Sequence, residues 1–425
     1  MGSPDSLLID RILIYKTGSN QNFIAKINIY VWWCIKILNN ITFGLQTNTL
    51  LKYLFIIIPL LISCKNETQT TSLPDIPGDS LSVVYAKGFS IVQYEDFKIL
   101  TVNDPWPGSS KSFNYLLYEE GATIPEGISY DHKIQIPVAK IVLTSTTFIP
   151  SLESLGEINS LVGFPGLDYI SSSGARILID ENKITELGQN ESINTEVLIS
   201  LRPNVVIGFA VNNSNKTFNT IEKSGIPVLY NGDWTEETPL GKAEWIKYFG
   251  ALFNKSDEAE KLFEEVASNY NEAKEIAATA SDIPTVLSGS MYKDQWYVPY
   301  GNSWSALFIK DANADYIYKD TSGRGSRALA FETVLSEAGN ADFWISPGQF
   351  KSFSQLNESS LHYNRFKAVQ EKRVYTYSNT FGPTGGAIYY ELAPNRPDLV
   401  LKDLISIFHP GLLPEHELFF FKPLE

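Results

Sequence analysis

Cysteine is nearly absent from this chain. Of 425 residues only Cys34 and Cys64 carry a thiol, and none follows residue 64. A domain beyond that point holds no disulfide and no thiolate metal centre. Histidine is scarce as well: His132, His362, His409 and His416 are scattered, with no pair at the i, i+4 spacing of a helical metal site. Positive charge is in deficit, 34 Lys and Arg against 48 Asp and Glu, a net of -14. Such a surface argues against nucleic acid as a partner. Catalytic signatures are missing too. There is no G-x-S-x-G elbow, since GNSWS at 301–305 lacks the second glycine. TSGRGSRAL at 321–329 has glycines but no phosphate-loop pattern, and is read as a flexible loop at a cleft mouth. An acidic chain always offers a carboxylate pair, so a hydrolase on an α/β scaffold stays as an alternative.

Residues 50–64, LLKYLFIIIPLLISC, combine a basic residue, an apolar core and a cysteine. The core from Tyr53 to Ser63 is too short to span a bilayer, which needs about 20 residues, but has the size of a signal-peptide core. Leu61-Ile62-Ser63-Cys64 looks like a lipobox, in which the peptide is cut before Cys64 and that cysteine is lipidated. A buried strand with a chance cysteine is the alternative. Residues 1–49 sit awkwardly ahead of an export signal. The expectation is that translation starts near residue 48 on a non-Met codon and that the extension is not in the mature protein. Residues 65–81 read as a polar, proline-punctuated tether.

Ser256 to Ala280 has no Gly and no Pro. Ala259, Leu262, Phe263, Val266, Tyr270, Ala273 and Ile276 recur at three- and four-residue steps and share one helical stripe. Ser256 is the expected N-cap, and Asp257 and Glu258 suit the first turn. The helix would be roughly 37 Å long at about 1.5 Å per residue. It reads as a strut, 254–281, joining two lobes at 138–253 and 282–425; one more surface helix of a single domain is the alternative. Both flanks alternate strand and helix, which implies parallel sheets with covered faces. Residues 82–137 are short alternating runs rich in Val, Ile, Tyr and Phe, read as a β-rich lead-in, with Trp106 as its anchor. A unit recurs in both halves: Glu196 opens a helix ahead of the strand at Val205, and Glu332 opens one ahead of the strand at Phe343.

The ordered set IVLTSTTFIPSLESLGEINSLVGF, INTEVLISLRPNVVIGF, IEKSGIPVLY, the strut, WYVPYGNSWSALFIKDANADY, FETVLSEAGNADFWIS and RPDLVLKDLISIFHPGLL spans about 138 to 413. It resembles the substrate-binding proteins of the siderophore, haem and cobalamin class of ABC importers; the lead-in is not part of the common pattern. The resemblance implies an α/β fold of two Rossmann-like lobes bridged by one long helix, with the ligand in the cleft and only small closure. It implies a lipid-anchored protein of the cell envelope facing the periplasm. Its partners would be an ABC permease and, through it, ATPase subunits, with no cofactor of its own and no catalysis. It also implies that Glu196 and Glu332 dock on permease arginines. A lipid-anchored scaffold with no transporter is the competing class, in which both glutamates would be silent.

Open α/β sheets place ligands at the carboxyl ends of their strands. By position this names Ser145, Thr146, Tyr169, Asn190, Asn212 and Trp234 in the first lobe. In the second it names Trp296, Trp304, Arg324, Arg327, Gln349 and Phe381. Flat ligands favour aromatic faces, and anionic chelates need Arg, so Trp234, Trp296 and Arg327 lead. The scarcity of His argues against bare Zn or Mn as cargo. Ferric siderophore, haem and cobalamin stay open, with iron chelates favoured by their frequency in the family.

Overall fold

Residues 77–425, except 191, 213 and 214, are described by a computed structural model; the extension, the apolar core and Cys64 lie outside them. The lead-in forms a sheet of its own. β1 (Asp79–Ser80), β2 (Phe89–Gln93), β3 (Phe97–Asn103) and β4 (Ser112–Tyr118) make an antiparallel meander, and β5 (His132–Gln135) runs parallel to β4. Pairing starts inside the expected tether, at Asp79 against Gln93. The period of two sorts the side chains. Phe89, Ile91, Leu100, Val102, Tyr115 and Leu117 enter the main core, while Tyr94, Phe97, Ile99 and Leu116 form a small cluster on the other face. The lead-in therefore shares the core of the first lobe.

The first lobe contains β6 (Ile141–Leu143), β7 (Leu161–Phe164), β8 (Thr185–Glu186), a hairpin of β9 (Gly188–Gln189) and β10 (Ser192–Ile193), β11 (Val205–Gly208) and β12 (Val228–Tyr230). Its sheet is parallel throughout, in the order β12-β11-β6-β7-β8. β6 and β11 are buried along their length, as expected of a sheet covered on both faces. The second lobe holds β13 (Thr285–Ser288), β14 (Ser290–Tyr292), β15 (Gln295–Pro299), β16 (Asp315–Tyr316), β17 (Ser326–Leu329), β18 (Phe343–Ile345), β19 (Val374–Thr376) and β20 (Lys422–Pro423). Its main sheet runs β16-β13-β18-β19-β20 with only β20 antiparallel, and β14-β15-β17 make a separate antiparallel sheet. The expected flexible loop at 321–329 is thus in part strand: Arg327 pairs with Val298.

The strut is a helix from Ser256 to Ala277. Ser256 is its first residue rather than its cap; the Ser256 hydroxyl accepts from Lys98 Nζ of the lead-in. Ala259, Phe263, Ala267, Tyr270, Ala273 and Ala277 are its buried face. Gly250 brings the preceding helix, Ile246–Leu252, so close that a Cβ there would lie 2.5 Å from the Ala259 Cβ. At the far end Tyr270 donates to Asp311 at 2.8 Å, which ties the strut to the second lobe. No helix among the described residues is long and apolar enough to cross a membrane.

Candidate ligand cleft

A cavity of about 310 Å³ opens between the lobes, with Trp234, Glu236 and Lys242 on one side and Asn302, Trp304 and Arg324 on the other. Trp234 stands on a 3-10 turn, Asp233–Thr235, that follows β12. Trp304 begins the helix Trp304–Asp311, which Ser303 caps by accepting from the Ala306 amide. Trp234 therefore follows the carboxyl end of a parallel strand, where open α/β sheets place ligands, whereas Trp304 follows β15 of the small antiparallel sheet. Trp234 is 39% exposed and available to a ligand face.

Sequence reasoning missed the charged residues of this wall, the carboxylates of Glu236 and Glu237 and the ammonium of Lys242. Lys242 lies in the short helix Pro239–Ala243, all of whose residues are buried, and is itself 8% exposed. Its Nζ donates to the Asp233 carbonyl at 3.0 Å and stands 5.3 Å from the centre of the Trp304 ring across the cleft. Burial lowers its pKa, against the pull of Asp233 and Glu236. Burial raises Asp233 in turn, although Lys242 and the Thr147 hydroxyl, donating at 3.0 Å, oppose that. The available signal was a lone lysine in TPLGKAEW, a stretch otherwise built to be buried.

Of the expected ligand residues, Trp234, Trp304 and Arg324 meet in this cavity. Tyr169, 65% exposed, lines a different one with Thr384, Gly385 and Gly386. Ser145 caps the turn Thr146–Phe148, its Oγ accepting from the Thr147 amide. Asn190 donates to the Thr144 carbonyl at 2.7 Å. Asn212 is exposed in the segment after β11 and Gln349 in the one after β18. Phe381 lies under Lys351, whose Nζ is 4.1 Å from the ring centre. One leading expectation, Trp296, is corrected. Trp296 is fully buried, because alternation on β15 turns it and Val298 inward, and its ring packs on Trp344 at 5.1 Å and Phe366 at 5.4 Å. Arg327 is exposed on β17 and lines none of these cavities. Among the described residues no group of three or more His, Cys, Asp or Glu is arranged to hold a metal ion.

Hydrogen bonds also join the two lobes directly. Glu391, in the helix Ile388–Leu392, accepts from the Ser171 and Ser172 amides at 2.7 Å each. Thr384 donates to the Asp168 carbonyl at 2.8 Å, Ser171 Oγ to the Gly386 carbonyl at 2.9 Å, and Asn395 Nδ2 to the Thr147 carbonyl at 2.8 Å. Glu196 and Glu332 each sit exposed in the first turn of their helices, Thr195–Leu201 and Phe331–Ala338, and neither has a salt bridge among the described residues. Asn194 caps the first by accepting from the Val197 amide.

A family profile described as periplasmic binding protein matches residues 141–380. An uncharacterized lipoprotein of Methanocaldococcus jannaschii is 27% identical over 376 residues, covering 83% of this chain and 88% of its own. Since 83% of 425 residues is about 353, that alignment begins before residue 79 and takes in the lead-in sheet. Among solved structures, a possible iron-binding (periplasmic solute-binding) protein from Staphylococcus epidermidis superposes with a TM-score of 0.50 at 18% identity, covering 64% of this chain and 99% of its own. A periplasmic solute binding protein from Veillonella parvula gives 0.51 at 19% identity, covering 66% and 84%. At such identity these two similarities speak for the fold.

Proposed function

Because the chain belongs to the periplasmic binding protein family, we propose that it is the substrate-binding lipoprotein of an ABC importer, carrying an iron-siderophore, haem or cobalamin-type ligand between its lobes to a membrane permease. It is a binding protein and not an enzyme. One observation carries the choice of ligand class: a tryptophan from each lobe, Trp234 and Trp304, borders the same cavity as Lys242 and Arg324. Two aromatic faces suit a flat group, and two cations from opposite lobes suit its anionic edge, while Glu236 and Glu237 of the same lining limit the net positive charge it meets. The cavity, about 310 Å³, is at the low end of the ~300–1,000 Å³ usual for ligand sites. That favours a compact iron chelate over a corrin. The chelate brings its own metal ligands, so the cleft need supply none. Lipidation at Cys64 would hold the protein on the cell envelope, facing the periplasm, and Glu196 and Glu332 would set its register on the permease.

The test is a tryptophan-fluorescence titration of the purified protein with haem, cyanocobalamin and ferric siderophores of the catecholate and hydroxamate types. Saturable quenching by one class is expected. Trp234→Ala and Trp304→Ala should each weaken it about tenfold, or ~1.4 kcal/mol. No saturable response to any probe, or unchanged affinity in both variants, would sink the reading.

A further inference from the structure

The lead-in sheet lies outside the family-matched segment 141–380, yet it reaches the cleft. Pro107 borders the cavity that holds Trp234 and Trp304. A second cavity, of about 370 Å³, has Asn103, Asp104, Trp106 and Ser109 of the lead-in as one wall. The two share Thr235, Glu236, Glu237 and Arg324, so they adjoin. We infer that the lead-in is a third wall of the ligand site, and that its Asp104–Ser109 turn shapes a second chamber for a polar, amide- or hydroxyl-bearing appendage of the ligand. This rests on the proposed chelate-binding role of the cleft.

The wall is held by buried carboxylates. Glu236 accepts the Lys87 and Gly88 amides at 2.9 Å each and the Trp245 indole N–H at 3.1 Å, while its residue also borders both cavities. Gly88 approaches so closely that a Cβ there would lie 2.8 Å from the Trp245 ring. Glu244, fully buried, accepts from the Val84, Tyr85 and Ala86 amides and pairs with Lys247 at 2.8 Å. Carboxylates that accept several backbone amides fix a segment firmly. Trp106 is wedged against Tyr230 at 5.4 Å, so the turn stands on a packed base. The chambers differ in chemistry. Both share Glu236, Glu237 and Arg324; the first adds two tryptophans and a buried ammonium, and the second adds Asn103, Asp104 and Ser109 of the lead-in together with Lys87. A ligand with a flat anionic head and a hydrogen-bonding tail matches both.

The experiment compares two probes by isothermal titration against the purified protein. One is bare ferric tris(catecholate). The other is a ferric tris-catechol complex whose rings are joined through amides to a peptide backbone. The backbone-bearing probe should bind at least about tenfold more tightly, the worth of one or two hydrogen bonds to charged groups. Ser109→Trp, at the half-buried end of the turn, should fill the second chamber and erase that difference without changing affinity for the bare head. Arg324→Met, in the wall common to both, should weaken both probes. Equal binding of the two probes by the unmodified protein, or an undiminished difference in Ser109→Trp, would overturn the inference and leave the cleft reading standing. Binding of neither probe would overturn both.

Discussion

Glu391 is a carboxylate whose removal from water is not matched by a cation. Its partners are two backbone amides, and the charge that acts on it is another carboxylate, Glu153, which accepts from Ser172 Oγ and the Gly174 amide. Burial chiefly, helped by Glu153 and opposed by the amides of Ser171 and Ser172, pushes Glu391 from the ordinary 4.5 to about 7. A raised acid holds a proton in the folded protein that the unfolded chain has released. Its contribution is therefore fully present below about pH 4.5 and is lost as pH climbs to about 7, roughly 3 kcal/mol in all. Glu391→Gln should flatten that part of the profile. The baseline will shift, because an amide offers one acceptor oxygen where the carboxylate offered two, so the slope is the readout. Urea unfolding at pH 5 and pH 7.5 checks it; equal slopes in the two proteins would remove Glu391 as the cause. Nothing in the local sequence, IYYELAP, announced this role. Trp296 makes the same point. Its composition suggested a ligand face, but the side on which a strand residue points is fixed by register with Met291 and Leu329, which one strand's sequence does not contain.

At the scale of elements the sequence said more. The strut and the alternating strands of both lobes were legible because period and breaker are local signals. β20 was not, since it pairs with β19 from 46 residues away, Thr376 against Lys422; nor was the joining of the lead-in to the first lobe, which depends on Glu236 and Glu244 meeting amides about 150 residues distant. The strut's fit against its neighbour is open to a direct test at Gly250. Alanine is intrinsically better in a helix by ~1 kcal/mol, but here its Cβ would meet Ala259 at 2.5 Å and the Lys255 carbonyl at 3.0 Å. Overpacking costs about 1–3 kcal/mol and should win. Gly250→Ala should lower Tm by a few degrees in calorimetry; a rise would mean that the two helices part easily and that the strut is held elsewhere.

For the whole molecule, the proposed transport role turns on how the cleft would be presented to a permease. A helix that precedes a parallel strand runs against it, so it begins at the carboxyl edge of the sheet. The helices of Glu196 and Glu332 precede β11 and β18, interior strands of their two sheets, so each lobe offers an exposed carboxylate at the edge of its sheet that faces the ligand. One strut, packed on the first lobe at Ala259 and bonded to the second at Tyr270, constrains the separation of the pair. Charges so placed govern encounter and register more than the depth of the bound state. On the proposed transport role, the double variant Glu196→Lys/Glu332→Lys should therefore abolish cellular uptake of whichever ligand the titration identifies. Affinity in solution should stay within about twofold, because neither residue borders the cavity and charge effects on the surface are screened over ~8 Å at physiological salt. Lysine in a first helical turn is unfavourable by ~0.3–1 kcal/mol at each site, a loss that unfolding curves will reveal and that Glu196→Gln/Glu332→Gln largely avoids. That neutral pair should give intermediate uptake. Normal uptake in the reversed variant would make both carboxylates ordinary helix-start residues, whereas loss of ligand affinity would move them from docking to the cleft itself.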